Sequence, residues 1–227
     1  MKYTYLVINF FSILIPILFS FGKRLSFYKE WKALFPALIL TGIFFIVWDH
    51  YLTLWNVWHF NPEYITGIYI FDLPVEEWLF FFTIPYACVF IYASLNKLLR
   101  QDFFQPVAQK ISMLLFAFTT IVALTHLHQL YTSIKLSLTA ILLLISLLMK
   151  WKFMGKFYRA YFTSLIPFFI VNGLLTALPV VIYNDAENSG VRIFTIPMED
   201  ILYTLLLLLM NISLFELFRS KHEIQHA

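Results

Sequence analysis

The 227-residue chain has a single cysteine, Cys88, only six glycines, and charged side chains at 13% of its positions. One cysteine excludes a disulfide framework and every multi-cysteine zinc or iron–sulfur pattern. The few glycines form neither a Gly-x-Gly-x-x-Gly loop nor a Walker sequence, so no nucleotide or flavin site is indicated. His50, His59, His126 and His128 do not form the repeated boxes of a membrane di-iron oxygenase, and no metal is expected. Asn184-Asp-Ala-Glu187 lacks the further carboxylates at helical spacing, and the basic partners, that a Mg²⁺-diphosphate site requires. The scarcity of charge excludes most. A soluble domain carries roughly 25% charged residues, whereas this chain is 61% hydrophobic and 20% aromatic. That composition indicates a polytopic membrane protein whose apolar side chains face lipid as well as core.

A bilayer core takes about 20 mainly apolar residues per helix, and seven stretches approach that length: Tyr3 to Phe21, Ala33 to Trp48, Glu76 to Leu95, Ile111 to Leu130, Ile134 to Met149, Tyr161 to Tyr183, and Glu199 to Phe218. The first is read as a retained span, because Ser20-Phe-Gly-Lys23 is no small-residue cleavage site. Cytoplasmic loops hold an excess of Lys and Arg. Thirteen of the 16 basic residues fall in alternate connections: Lys23, Arg24, Lys29 and Lys32; Lys97, Arg100 and Lys110; Lys150, Lys152, Lys156 and Arg159; Arg219 and Lys221. The other side keeps Lys2, Lys135 and Arg192, and nine of 13 acids. The N-terminus is therefore expected outside and the C-terminus in the cytoplasm. The basic loops act as orientation signals, and nucleic-acid binding is not supported.

The chain also repeats itself. Gly67-Ile-Tyr-Ile-Phe-Asp-Leu-Pro-Val-Glu-Glu-Trp-Leu-Phe80 aligns with Gly190-Val-Arg-Ile-Phe-Thr-Ile-Pro-Met-Glu-Asp-Ile-Leu-Tyr203 at an offset of 123. Upstream, Pro36 and Gly42 match Pro167 and Gly173 at an offset of 131, which makes the second copy eight residues shorter there. On that alignment the second copy has no counterpart to Trp48-Asp49 or Phe60-Asn-Pro62. The predicted fold is all-α, with seven transmembrane helices arranged as two parallel three-helix repeats joined by one linking helix (3+1+3). The first repeat covers residues 1–100, the linking helix 101–132, and the second repeat 133–227. Repeats of this kind commonly place a site between the halves.

Both Pro-x-Glu-[Glu/Asp] motifs open a helix at the outer face. Proline at the first helical position and acids in the first turn are ordinary helix-start features. Their recurrence as pairs, and the cost of carboxylates at membrane depth, mark them as functional candidates. Adjacent acids point about 100° apart on a helix, so one of each pair faces inward. Their place one turn before Phe80 and Tyr203 favours Glu76 and Glu199 over Glu77 and Asp200. A carboxyl group removed from water holds its proton more tightly, as a general acid requires. The stretch from Phe45 to Glu63 adds a dense aromatic loop; interfacial Trp and Tyr belts explain most of it, but not Asp49 at the end of an apolar span. Aromatic faces stabilise cations. Asn172 and Asn211, inside spans six and seven, are expected to hydrogen-bond between helices, and Cys88 to be a buried small hydrophobe.

Trp48-Asp49, Trp58-His-Phe-Asn-Pro62, Gly67, Pro74-Val-Glu-Glu77-Trp-Leu-Phe-Phe-Phe82 and Pro85-Tyr-Ala-Cys-Val-Phe-Ile-Tyr92 together resemble the small integral-membrane lycopene cyclases. The resemblance covers nearly the whole chain and matches the fused form of the heterodimeric type, related to the cyclase half of fungal bifunctional enzymes. Pro197-Met-Glu-Asp200 is similar to the second subunit's motif. The resemblance implies carotenoid biosynthesis through an isomerase of the intramolecular-lyase class that needs no cofactor. An acid would protonate the terminal double bond of an acyclic ψ-end of lycopene, an internal double bond would close onto the cation, and a base would remove a proton to leave a β-ionone ring. It implies Glu76, Glu77, Glu199 and Asp200 as acid and base candidates, Asp49 and Asn61 as polar support, and Trp48, Trp58, Phe80 and Tyr203 as the pocket. The implied partners are a lipophilic carotenoid and membrane lipid, and the implied location is the bacterial inner membrane; the oligomeric state is left open. The rival readings are a small-molecule transporter and a non-catalytic carotenoid-binding membrane protein.

Overall fold

A computed structural model describes residues 1–99 and 101–225 of the chain; Arg100, one of the basic residues counted above, lies outside the described residues. It is mostly helical: α1 Thr4–Ser20, α2 Trp31–Leu54, α3 Val75–Leu98, α4 Ala108–Thr125, α5 Leu130–Leu148, α6 Met154–Ala177 and α7 Met198–Gln225. Six of these are long and apolar enough to cross a membrane, and α1, at 17 residues, is shorter. α1 packs on α3, α2 on α3 and α7, α6 on α3, and α5 between α4 and α7.

The all-α expectation omits six short strands at one end of the bundle. β1 (Trp58–Phe60) pairs antiparallel with β4 (Val181–Tyr183), joining the loop after α2 to the loop after α6. β2 (Tyr69–Ile70) with β3 (Leu73–Pro74), and β5 (Arg192–Ile193) with β6 (Ile196–Pro197), form hairpins leading straight into α3 and α7. The tight first hairpin turns through Phe71 and Asp72, both at positive φ (49° and 59°), as a two-residue primed turn requires.

The predicted sixth span, Tyr161 to Tyr183, lies about two turns too far along the chain. α6 begins at Met154 and takes in Lys156 and Arg159, and Tyr183 belongs to β4. Hydropathy places charge in loops, yet Arg159 is buried inside the bundle. Its guanidinium donates to the Gln101 carbonyl at 2.8 Å and to Asn96 Oδ1 at 2.7 Å, while its Nε is buried without a partner among the described residues.

The new boundaries also correct the internal alignment. Displaced by 123 positions, α2 coincides with α6, β1 with β4, β2 and β3 with β5 and β6, and the start of α3 with the start of α7. Gly67 and Gly190 both have positive φ, as do Phe71 and Phe194. The loop hydrogen bonds recur as well: Asn61 N–H donates to Val180 O and Asn184 N–H to Val57 O, each at 2.9 Å. The Pro36/Gly42 and Pro167/Gly173 match is therefore accidental, since helices in a membrane accept Pro and Gly at many positions. The second copy is not shorter. Asp49 has Asn172 as its counterpart, and Asn61 has Asn184.

A Cβ at Gly67 would meet nothing within 4 Å, so only its φ of +84° resists substitution. Gly67→Ala is expected to destabilise the fold by about 1–2 kcal/mol, the cost of left-handed backbone for an L side chain. Thermal unfolding in detergent measures this.

Candidate active site

Both halves build the site from the same parts. Tyr5 and Asn9 lie four residues apart on α1 and share a face, as do Tyr131 and Lys135 on α5. Tyr5 N–H donates to Tyr64 O and Tyr131 N–H to Glu187 O, each at 3.1 Å, so the loop before each hairpin fixes the helix beside it. The first turn of α3 carries Glu76 and Glu77, and that of α7 carries Glu199 and Asp200; all four are buried.

Within each pair the two acids divide their tasks in the same way. Glu76 Oε1 accepts the Thr66 N–H at 2.7 Å. Glu199 Oε1 accepts the Ser189 N–H and the Thr132 hydroxyl, both at 2.7 Å. These first acids close the hairpin loops. The second acids, Glu77 and Asp200, line a cavity between the halves. The preference for Glu76 and Glu199 as the inward pair is thus reversed. Phe80 and Tyr203 sit on faces that either acid could share, and the loop N–H groups decide which acid turns away.

The two second acids have different company. Glu77 accepts the Tyr5 hydroxyl at 2.5 Å and lies against the Asp49 carboxyl, with no cation closer than Lys135 of the other half. Asp200 accepts from the Tyr131 hydroxyl, from Tyr183 Oη at 2.7 Å and from Asn172 Nδ2 at 2.9 Å, and it pairs with the Lys135 ammonium at 3.5 Å. Tyr183 lies outside the helices. Burial and the Asp200 carboxylate push its hydroxyl well above the usual tyrosine range, so it remains a donor. Lys135 Nζ stands over the rings of Tyr131 and Tyr203, 3.5 and 3.9 Å from their centroids. Asp49 Oδ1, Trp58 Nε1 and the Tyr203 hydroxyl are buried without a hydrogen-bond partner among the described residues.

Of the residues singled out from sequence, Asp49, Trp58, Glu77, Phe80, Asp200 and Tyr203 meet at this cavity. Trp48 does not line it and packs in the core at the hairpin end. Asn61 shapes the loop, its Oδ1 accepting the Glu63 N–H at 3.0 Å. Asn172 does bond between helices, but inside the site. Asn211 instead donates to Leu207 O in its own helix, at 3.1 Å. Sequence reading missed Tyr5, Tyr131, Tyr183 and above all Lys135, which it assigned to the outer face. The signal was available: a lysine four residues after a tyrosine, inside an apolar span. Among the described residues no three His, Cys, Asp or Glu side chains are grouped as metal ligands.

A sequence profile described as lycopene cyclase matches residues 2–95 and 128–218, most of the chain. The chain belongs to the lycopene cyclase family. Two curated proteins named bifunctional lycopene cyclase/phytoene synthase are similar to it. That of Colletotrichum graminicola is 40% identical over 52 residues, 23% of this chain and 9% of the relative. That of Aspergillus oryzae is 28% identical over 86 residues, 38% of this chain and 14% of the relative. The matched part is thus a small fraction of those longer proteins. No solved structure matches.

In this lycopene cyclase family member, Lys135 and Asp200 are 2% and 5% exposed, so removing one leaves the other buried without its charge partner. Lys135→Met is expected to cost about 3–5 kcal/mol. Adding Asp200→Asn should recover part of that loss, because no uncompensated charge remains. Unfolding of the two variants beside the wild type in detergent checks the pair, and an unchanged midpoint for Lys135→Met would contradict it.

Proposed function

We propose that this chain is a lycopene β-cyclase, an intramolecular lyase that closes ψ-ends of lycopene into β-ionone rings without a cofactor, giving γ- or β-carotene. The observation that carries the reading is the unequal pairing of the two inward acids across an aromatic cavity. One shares its place with a second carboxyl, and the other with an ammonium.

Charge balance then suggests the roles. Three carboxyls and one ammonium, all ionised, would leave two negative charges in a site with little water, at a cost of several kcal/mol each. A proton retained by Asp49 and Glu77 removes one of those two charges and supplies the acid. Asp200, which accepts from Asn172 and two tyrosine hydroxyls and pairs with Lys135, is the base. The acid pair delivers its proton to the terminal double bond. The aromatic lining at Phe80 stabilises the cation while the internal double bond closes the six-membered ring. Asp200 accepts the proton lost from the ring, and exchange with solvent resets both groups. One proton enters and one leaves, so substrate and product have the same mass. Proton transfers to and from a positioned carbon skeleton are general acid–base steps. Glu76 and Glu199, committed to loop N–H groups, are support for the neighbouring acids.

The architecture fits this role as two parallel three-helix repeats, residues 1–100 and 133–227, joined by a linking helix within 101–132. The displacement of 123 from α2 through the start of α3, that of 126 from α1 to α5, and the gap in the family match between residues 95 and 128 support that division. The basic-residue bias supports an orientation with the hairpin end, and the site, toward the outside of a bacterial inner membrane. Transport and passive carotenoid binding would both leave the separation of acid and base environments without a purpose.

Expression in a bacterium that accumulates lycopene tests the proposal. Chromatography of the extracted carotenoids should show a product of unchanged mass and blue-shifted absorption. Glu77→Gln and Asp200→Asn should each lower its formation by about 10²–10⁴-fold, with the protein still present in the membrane. Unaltered lycopene beside abundant wild-type protein would refute it.

A further inference from the structure

The cavity reaches well beyond the polar cluster, and it does so on one side only. Below Glu77 it follows Ile84, Ala87, Cys88 and Ile91, the i, i+3, i+4, i+7 face of α3, and it meets the matching face of α6 at Ser164, Pro167, Phe168 and Val171. Fourteen residues from Glu77 to Ile91 span about 21 Å at 1.5 Å per residue. The groove is mostly apolar along this length, with the hydroxyls of Ser12 and Ser164 as its polar lining, and it reaches the lipid-facing surface at Pro167, which is exposed.

The equivalent face on the other side, between α2 and α7, is filled. Displaced by 123 positions, Ala87 becomes Met210, Pro167 becomes Phe44, Val171 becomes Trp48, and Thr204 corresponds to Phe81. Phe81 stacks on Phe45 with ring centroids 5.8 Å apart, and Phe45 meets Tyr203 edge-on at 5.2 Å; Phe45 and Phe81 are each 1% exposed. The two clefts, equivalent by register, thus differ at a few bulky positions, and the cavity runs along the α3–α6 one.

We propose that the α3–α6 groove is the binding site for the polyene chain of an acyclic carotenoid, which enters sideways from the lipid past Pro167 with its reacting end foremost. The inference rests on the cyclase reading for the identity of its occupant. A narrow, mostly apolar, unbranched groove that ends at a polar head suits a rigid conjugated hydrocarbon, which offers no hydrogen bonds along its length and reacts only at its tip. A 21 Å groove is too short for a whole C40 chain, so the far end stays in lipid. The filled α2–α7 cleft leaves one such site per chain, and the two ends of one substrate are taken up in successive visits.

Cys88, the single cysteine and buried in the groove wall, provides the test. Membranes holding wild-type protein or Glu77→Gln, with or without lycopene, are treated with N-ethylmaleimide, and the alkylated fraction is followed by mass spectrometry. Cys88 should react in carotenoid-free membranes, and lycopene should slow the reaction about tenfold or more in both proteins. Ala87→Trp, filling the groove as Met210 fills the other cleft, should block alkylation and lower cyclised product by a similar factor. Ile43→Trp, on an exposed face of α2, should do neither. Equal alkylation with and without lycopene in a protein that makes cyclised product would overturn the groove and leave the cyclase reading standing. Protection by lycopene in a wild-type protein that makes no ring would do the reverse. Wild-type yields of cyclised product from Ala87→Trp would overturn the lateral opening.

Discussion

Three carboxyl groups and one ammonium are buried together at the end of a helix bundle made almost entirely of apolar side chains, and the rest of the structure answers to that fact. A charge placed so deep in apolar surroundings persists only with partners that replace water. Here the partners come from four helices and one strand. Tyr5 arrives on α1, Asp49 on α2, Tyr131 and Lys135 on α5, Asn172 on α6 and Tyr183 on β4. The β1–β4 pairing binds the loops after α2 and α6 to each other. The first acid of each motif holds the hairpin that sets the rotation of the second. Positioning of this kind fixes the groups before any substrate arrives, which is where most electrostatic catalysis originates.

The chemistry grows out of small departures from a repeated frame. Asn9 and Lys135 occupy matching places beside Tyr5 and Tyr131, and so do Asp49 and Asn172 beside Glu77 and Asp200. One half thereby gained a second acid and the other a cation. A perfectly symmetric pair would hold two equal carboxylates, with neither poised to donate and neither fixed to accept. On the proposed acid–base chemistry, an amide in place of a carboxyl in one half, and in place of an ammonium in the other, separates donor from acceptor without altering the backbone. The same logic operates on shape, where Phe81 against Thr204 closes one cleft and leaves its twin open.

Much of this was legible in the sequence. The apolar runs gave the helices, and the Pro-x-Glu-[Glu/Asp] recurrence located both acid pairs, because a motif that starts a helix after a tight hairpin repeats its side-chain order faithfully. What escaped depended on partners distant in sequence. Arg159 reads as a loop residue until Gln101 and Asn96 are seen to receive it. Lys135 reads as one of the few basic residues of the outer face until Asp200 lies beside it. The choice between Glu76 and Glu77 turns on a loop N–H at Thr66, ten residues away, and periodicity holds no trace of it. The α2–α6 register was misread because proline and glycine matches were weighed above loop geometry.

The central claim is that ring closure begins with a proton from the buried carboxyl pair. Cyclisation of lycopene by the protein in membranes equilibrated with D₂O addresses it directly. Each ring formed should carry one deuterium from the exchanged acid, seen as one added mass unit per ring, while recovered lycopene stays unlabelled. A cyclised product without deuterium would mean that the hydrogen came from within the substrate, and the acid–base account of this site would fail.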